Sequence, residues 1–527
     1  KNSLIYMAKG KVLKPVFKAY HQNQMMLLPP SLDELITFNH PVRVVNDILN
    51  KINIQPLIGE YKTGGSSSYH PLMLLKVLVY SYINNIYSSR KIEEAVQNNI
   101  HFMWLSGMNK PDHNTINRFR GEKLKEPLKK IFTQVVELLA TEGLLSLKEL
   151  YVDGTKIEAN ANRYTFVWGN SIKVNKEKLK QQLEALWKYA QSIAADELDD
   201  TDPSGFDKID SEKVKETIAK IDAALKDKPV TKEIKQKLSY AKKKWPEALD
   251  RYAVQEKILG GQRNSFSKTD NDATFMRMKD DHMKNGQLKP GYNLQVSSNN
   301  QYVTNYSIHH NPTDTTTLTE HLEQYKELYH TSPEIVTADA GYGSEENYEY
   351  LESNNIEAYV KHNQFDREQN ETIQRKKPFA ADKLHYNKEG DYYVCPMGQH
   401  MQNTKSYIKK TTTGFTQNIT QYEAKNCNGC PLNGACHKSE GNRIIEINHN
   451  LNAHKIKANK NLLSEEGIKH RKKRCHDVEP VFANIKSNHH FKRFMLRGKE
   501  KVSVETGLLV LAHNLRKKCS QTTKKAA

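Results

Sequence analysis

Apolar residues recur at helical spacing from about Ser31 to Leu145, and no alternating stretch interrupts them. SLDELITFN opens with a Ser cap and an acidic first turn. HPLMLLKVLVYSYINNI is apolar on nearly every side and predicts a central, buried helix. SSRKIEEAVQNNIHFMWLSG predicts one capped amphipathic helix. PDHNTINRFRGEKLKEPLKKIFTQVVELLATEG predicts another, starting after Asp112–Asn114 and ending at Gly143. Together these make an all-α N-terminal domain over 21–145, of about four to six helices, behind a tail (1–20) without strong pattern.

From Lys148 the period changes. ELYVDGTKIEANA alternates and predicts a strand or hairpin. A Lys-, Glu-, Ala- and Leu-rich stretch follows over 172–260, broken by ADELDDTDPSGFDKID, and predicts an inserted helical hairpin. GYNLQVSSNNQYVTNYSIHH then reads as a β-hairpin turning at Ser297–Asn300. TDTTTLTEHLEQYKELY reads as a helix, PEIVTADA as a buried strand, SEENYEYLESNN as a helix capped by Ser344, and IEAYVK as a further strand. That order predicts an α/β core with mixed strand directions. Residues 378–445 are polar, turn-rich and Cys-bearing, and 448–518 return to helix, broken by Gly467 and Gly498. The last residues, SQTTKKAA, read as a frayed tail. The domains expected are therefore 21–145, 146–500 (with insertions at 172–260 and 378–445) and a C-terminal helix and basic tail at 501–527.

Charge narrows the function. The net charge is +18, which steers a protein toward polyanions. The positive residues gather late, in HRKKR (His470 to Arg474), Lys486, Lys492–Arg493, Arg497 and the Arg516–Lys518 run. No apolar run is long enough to span a membrane and no signal-peptide pattern is present, so a cytoplasmic protein is expected. Cys395, Cys427, Cys430 and Cys436 cluster with the spacing C-x31-C-x2-C-x5-C, which suits a tetrahedral structural zinc site. His400 and His437 are substitutes, while Cys475 and Cys519 stand apart. Trp168 reads as a core residue, with stacking on an extruded base as its alternative.

Three acidic residues end short apolar runs: Asp153 in LYVDGTKIEA, Asp339 in EIVTADAGYGS and Glu479 in RCHDVEPVFANIK. Two strand-end aspartates and a helix-start glutamate are a hard-oxygen donor set suited to Mg²⁺. Two such ions about 3.5–4 Å apart activate the attacking oxygen and stabilise the leaving oxygen at a phosphodiester. Gly341 and Gly343 would let the chain turn sharply after Asp339. Pro480 fits only a first helical turn and so places Glu479 at a helix entrance. Lys486, two turns on, shares its face and suits a phosphate. Phe482 and Ile485 read as packing residues.

These motifs, with YHPLMLLKVLVYSYINNIYSSRKIEEA, PDHNTINRFR, VDGTKIEANA, SKTDNDATFMRMK and KPGYNLQ, resemble the DDE transposases of bacterial insertion sequences, closest to the insertion-sequence eleven-eighty-two type. The resemblance covers most of the chain. It implies a ribonuclease H-like mixed sheet flanked by helices, with Asp153, Asp339 and Glu479 as a metal-binding catalytic triad for two Mg²⁺ or Mn²⁺ ions. It implies DNA-contacting roles for Lys486 and Arg474, and Arg471 stands where the family usually has a Tyr. The N-terminal helices, with Arg118 and Arg120, would read terminal inverted repeats. The implied activity is cleavage at the ends of a mobile element and joining of the 3′-hydroxyls to target DNA. Double-stranded DNA would be the partner, the protein at least a homodimer on it, and the location the bacterial nucleoid. Two other readings stand beside this one: a non-catalytic DNA-binding or regulatory descendant, and a ribonuclease H-like nuclease that cuts without joining.

Overall fold

Two histidines start the first long helices. His40 and His70 each accept from the amide two residues on, at 3.2 Å, and each is followed by a proline at the first helical position, where the missing N–H costs nothing. The computed structural model describes residues 31–526 apart from 60, 62–67, 195, 197, 199–209, 262, 279–285 and 377. The tail at 1–20 and most of the acidic break near 195–210 lie outside the described residues.

The N-terminal helices are α1 (Pro41–Asn50), α2 (Gln55–Ile58), α3 (Pro71–Ile83), α4 (Ser89–Asn98), α5 (Ile100–Ser106), α6 (His113–Arg118) and α7 (Pro127–Thr141). Central α3 is buried almost all round, as its pattern predicts. Three expectations need correction. SLDELITFN forms turns, and the helix starts only at Pro41. The next amphipathic stretch is two helices, because Asn99 leaves α4 with extended backbone and caps α5 at His101 N, 2.9 Å. The third is divided by a π-turn at Phe119–Lys123 and restarts at Pro127.

The central sheet combines β1 (Glu149–Glu158), β4 (Thr274–Arg277), β5 (Leu288–Asn299), β6 (Tyr302–His309), β7 (Ile335–Ala338) and β8 (Glu357–Val360). β5 runs antiparallel to β1 on one edge and to β4 and then β6 on the other. β1, β7 and β8 are mutually parallel. The result is a mixed sheet flanked by helices, as expected. The β5–β6 turn is tighter than the sequence suggests: Asn300 and Gln301, at φ 51 and 61, form the loop, matching the two-residue type I′ geometry.

Between β1 and β4 a ribbon of β2 (Phe166–Trp168) and β3 (Ser265–Ser267) carries the insertion. It holds three helices instead of a hairpin: α8 (Gly169–Ile193), α9 (Ser211–Ala224) and α10 (Lys232–Leu259). They close on their own core, which includes Leu186, Trp187, Ile221 and Trp245. Pro229 lies in the turn that separates α9 from α10, and its ring disfavours helix at the residue before it. Trp168 packs in the ribbon against exposed Phe166 and buried Phe275 but is itself only half-buried, so it is not the core residue expected.

After α11 (Leu318–Tyr329), α12 (Glu345–Ser353), α13 (Phe365–Glu368) and α14 (Glu371–Lys376), the Cys-rich stretch forms a five-stranded antiparallel sheet. Its strands are β9 (His385–Asn387), β10 (Tyr392–Val394), β11 (His400–Lys410), β12 (Thr416–Glu423) and β13 (Ile444–Ile447). The turn-rich reading misses them because β11 is polar and exposed almost throughout. The chain then forms α15 (His449–Leu463), α16 (Glu465–Asp477), α17 (Glu479–Ala483), a π-turn at Asn484–Asn488 and α18 (Lys499–Ala526). The α15–α16 break falls at the cap Ser464, which accepts from Gly467 N at 3.1 Å, and not at Gly467. α18 continues to Ala526, in place of the expected frayed tail. It packs on β6, α3 and α7, so the N-terminal helices and the central sheet share one apolar core.

Candidate carboxylate site

The register of β1 on β7 places two of the acidic residues. Val152 pairs with Ala338 as the last pair of the β1–β7 ladder, so Asp153 and Asp339 follow side by side, on strands whose spacing is about 4.8 Å. Asp339 follows the end of β7, but Asp153 stands mid-way along β1, paired with Val296 of β5, which corrects the expectation of a strand end. Asp153 is 8 % exposed and accepts from Gly154 N at 2.8 Å. Asp339 leaves its strand and accepts from Gly341 N at 2.8 Å, capping a 3-10 turn. Neither Gly341 nor Gly343 has left-handed backbone, which corrects the expectation of a conformational need. At Gly343 the need is for space, since a Cβ there would run into the carbonyl of Lys361.

The third acid arrives from the helical side. α16 lies across β1, β7 and β8. Buried Asp477 pins its end, accepting from Ser298 Oγ at 2.7 Å and Gln301 N at 2.9 Å. Glu479 then opens α17, mostly exposed, with Pro480 behind it. Arg474 connects the two sides: its guanidinium is 3.6 Å from Asp153 Oδ2 and 3.9 Å from Glu479 Oε1. Its buried Nη1 makes no hydrogen bond and lies nearest the Asp153 carboxylate. Fully buried Tyr342 reports the same convergence. Burial first, then the charges of Asp314, Asp153 and Asp339, push its phenol well above its ordinary range, and Arg474 opposes them.

Asp153, Glu479 and Lys486 line one cleft of about 590 Å³. Lys486, inside the π-turn at Asn484–Asn488, lines it together with Glu479. Lys156, Lys289 and Lys492 line it too, and none of them is expected there from the sequence. Lys289 comes from a strand and Lys492 from an irregular segment, with no pattern to single them out. Asp339 is not among the lining residues; strand register, not the cleft, brings it beside Asp153. Phe482 packs on the core and Ile485 is buried, as expected.

The basic run behaves differently from a solvated patch. His470 is buried and stacks on Tyr359, Arg471 lies over Phe365, and Lys473 pairs with Glu149 at 3.1 Å. Arg474 faces carboxylates, not open surface. Of the two N-terminal arginines, Arg118 is exposed. Arg120 is 2 % exposed and donates to Tyr87 O at 2.7 Å and Tyr82 Oη at 3.3 Å. An inward-facing guanidinium has no surface to offer DNA, which corrects the expectation for Arg120.

Cys395, Cys427, Cys430 and Cys436 line one small cavity with His437 and Arg443. Backbone N–H groups of Gln399 and Arg443 point at the sulfurs of Cys395 (3.3 Å) and Cys427 (3.4 Å), and Arg443 Nη1 lies 2.8 Å from Cys436 Sγ. His400 instead stacks on Tyr392. Among the described residues, no three His, Cys, Asp or Glu side chains surround one point closely enough to hold an ion, here or at the carboxylates. The donor chemistry fits all the same: hard oxygens around Arg474, and four thiols in one pocket.

Residues 394–519 match a family model described as Transposase DDE domain, and residues 30–122 match one described as Transposase domain (DUF772). The first includes Glu479 and the four cysteines, and neither reaches Asp153 or Asp339. No curated protein matches the chain, and no solved structure does.

Proposed function

We propose that this chain, an insertion-sequence DDE transposase by the two transposase domains it matches, binds the ends of its element and cleaves and joins DNA at the Asp153–Asp339–Glu479 site. Its motif order resembles the insertion-sequence eleven-eighty-two type, and that likeness supports reading it as one of them. The observation that carries the reading is the Val152–Ala338 pairing, which sets Asp153 beside Asp339, with Arg474 linking Asp153 to Glu479. Asp153, Asp339 and Glu479 would hold two Mg²⁺ or Mn²⁺ ions, which supply Lewis-acid activation of the attacking and leaving oxygens.

The chain's own residues do the positioning. Lys156, Lys289, Lys486 and Lys492 place cationic donors around the cleft, where backbone phosphates would seat the scissile bond without reading its sequence. Arg474 keeps Asp153 and Glu479 drawn together, and its positive charge at the carboxylates would favour an incoming phosphate. Exposed Arg118 is the N-terminal candidate for contact with the end sequence. Two ends must be cut and joined together, so a homodimer on double-stranded DNA follows. Among the described residues no helix is long and apolar enough to cross a membrane.

The test uses labelled DNA from either flank of the coding sequence, a supercoiled target plasmid and Mg²⁺, with Asp339→Asn beside the unaltered protein. Cleavage and joining that disappear in the variant support the reading. Cleavage without joining supports a nuclease, and end binding without chemistry in either protein refutes the enzyme. The four cysteines would hold one structural Zn²⁺, with Arg443 offsetting part of the thiolate charge. Metal analysis of the purified protein should find about one equivalent, and less than half would count against it.

A further inference from the structure

A fourth carboxylate stands behind the first two. Asp314 lies in the turn between β6 and α11, where NPTDTTT reads as nothing more than a helix cap. Its Oδ1 accepts from Asn293 Nδ2 and Gln295 Nε2, both at 2.8 Å. Gln295 Oε1 in turn accepts the hydroxyl of buried Tyr342. The same turn is fastened to the loop after Asp339: Thr315 Oγ1 donates to Gly341 O at 3.1 Å. Asn347 Nδ2 reaches both Thr315 O (2.9 Å) and Tyr342 O (2.8 Å).

Two glycines show how closely this carboxylate sits to the acids in front of it. A Cβ on Gly154, the residue after Asp153, would lie 2.7 Å from Asp314 Oδ1 and 2.5 Å from Gln295 Nε2. A Cβ on Gly341, two residues after Asp339, would lie 3.6 Å from Asp314 Oδ2. Asp314 therefore touches the chain immediately downstream of both residues. With Oδ1 occupied by two amide donors, its part is to orient and to add charge, not to bind as a further ligand.

We propose that Asp314 is a positioning residue of the carboxylate site, which fixes Asp153 against Asp339 and whose negative charge strengthens their hold on a divalent cation. The proposal rests on the reading of that site as a cation site. Outer-shell partners of metal ligands typically carry about 10–100-fold in affinity, and Asp314 fills that place for two ligands at once.

The test is Mn²⁺ binding to the full chain, followed by the electron paramagnetic resonance signal of free Mn²⁺. The proteins compared are the unaltered chain, Asp339→Asn and Asp314→Asn. The amide introduced by Asp314→Asn would keep an oxygen for both donors and lose only the charge. The expected result is Mn²⁺ binding about tenfold weaker in Asp314→Asn, with its urea midpoint unchanged, and binding lost in Asp339→Asn. Cleavage by Asp314→Asn should need correspondingly more Mg²⁺ and recover at saturation. Binding within twofold of the unaltered protein would overturn the proposal. Equal binding by Asp339→Asn and the unaltered chain would instead overturn the cation site itself. If Asp314→Asn does not fold, Asp314→Ser, which also removes the charge and keeps an oxygen acceptor, carries the same test with the same opposed outcomes.

Discussion

Arg120→Ala separates a structural role from the DNA-contacting role its sequence context suggests. Arg120 is buried beside Glu505 of α18, which is fully buried and accepts from Met495 N (3.1 and 2.9 Å) and Leu496 N (3.0 Å). Burial pushes the Glu505 carboxyl above its ordinary range, and the Arg120 charge is the largest influence holding it down. Removing the guanidinium strands a buried carboxylate and leaves Tyr87 O without its donor. Breaking a buried pair from one side costs about 3–5 kcal/mol. Proton uptake by Glu505 limits the loss, because each tenfold change in its acidity is worth about 1.4 kcal/mol. The sign of the pH dependence follows. A carboxyl whose folded pKa is raised binds more protons folded than unfolded, so its contribution declines as pH rises above the ordinary Glu value. The variant should therefore lose most at pH 8 and less at pH 5. Urea unfolding at both pH values, alongside binding to element-end DNA, measures this. Stability within about 0.5 kcal/mol of the unaltered protein, combined with lost DNA binding, would refute the buried-pair argument.

Gly154→Ala should destabilise by about 1–3 kcal/mol through overpacking, because its Cβ meets Gln295 and Asp314; thermal unfolding reads it, and strand cleavage should fall with it. Partly buried Lys129 has its ammonium over the Tyr306 ring at 3.9 Å, and desolvation lowers it to about 7. Unfolded chains hold that proton until about pH 10.4, so stability should rise with pH between those values, and Lys129→Met should flatten the rise. A flat profile in the unaltered protein would refute the assignment. Lys486→Ala should weaken DNA binding across sequences and reduce the slope of log affinity against log salt by about 1, measured by fluorescence anisotropy; an unchanged slope would place Lys486 away from phosphate.

The features legible in the chain are those whose cause is local. Apolar residues on every side of α3, the Ser344 cap of α12 and the short apolar run of β7 each declare an element from a few neighbouring residues. β11 is hidden because its side chains face solvent on both sides and leave no alternation to read. The insertion hides its number of helices because Lys-rich helices separated by a short turn share one composition. Asn99 divides α4 from α5 without any glycine or proline at the point of division, whereas the π-turn at Phe119–Lys123 holds Gly121 and is followed by Pro127 at the restart.

Charge shows the same boundary more sharply. A run such as HRKKR fixes how much positive charge α16 carries, but not which residues face the sheet. Helical periodicity sends His470, Lys473 and Arg474 toward β1 and β8, to Tyr151, Glu149 and Asp153. Their partners lie more than three hundred residues earlier, and no local pattern carries that pairing. Asp339 is legible because it follows the end of β7, whereas Asp153 stands mid-way along β1 and is marked only by the apolar run before it. Arg474 and Asp314 are not, because each acquires its meaning only when β1 and β7 lie side by side. A cation site built on adjacent strands must gather its neutralising and orienting groups from elsewhere in the chain. The groups to test at such a site are therefore those that touch the residues just after the acids, which here means the contacts of Gly154 and Gly341.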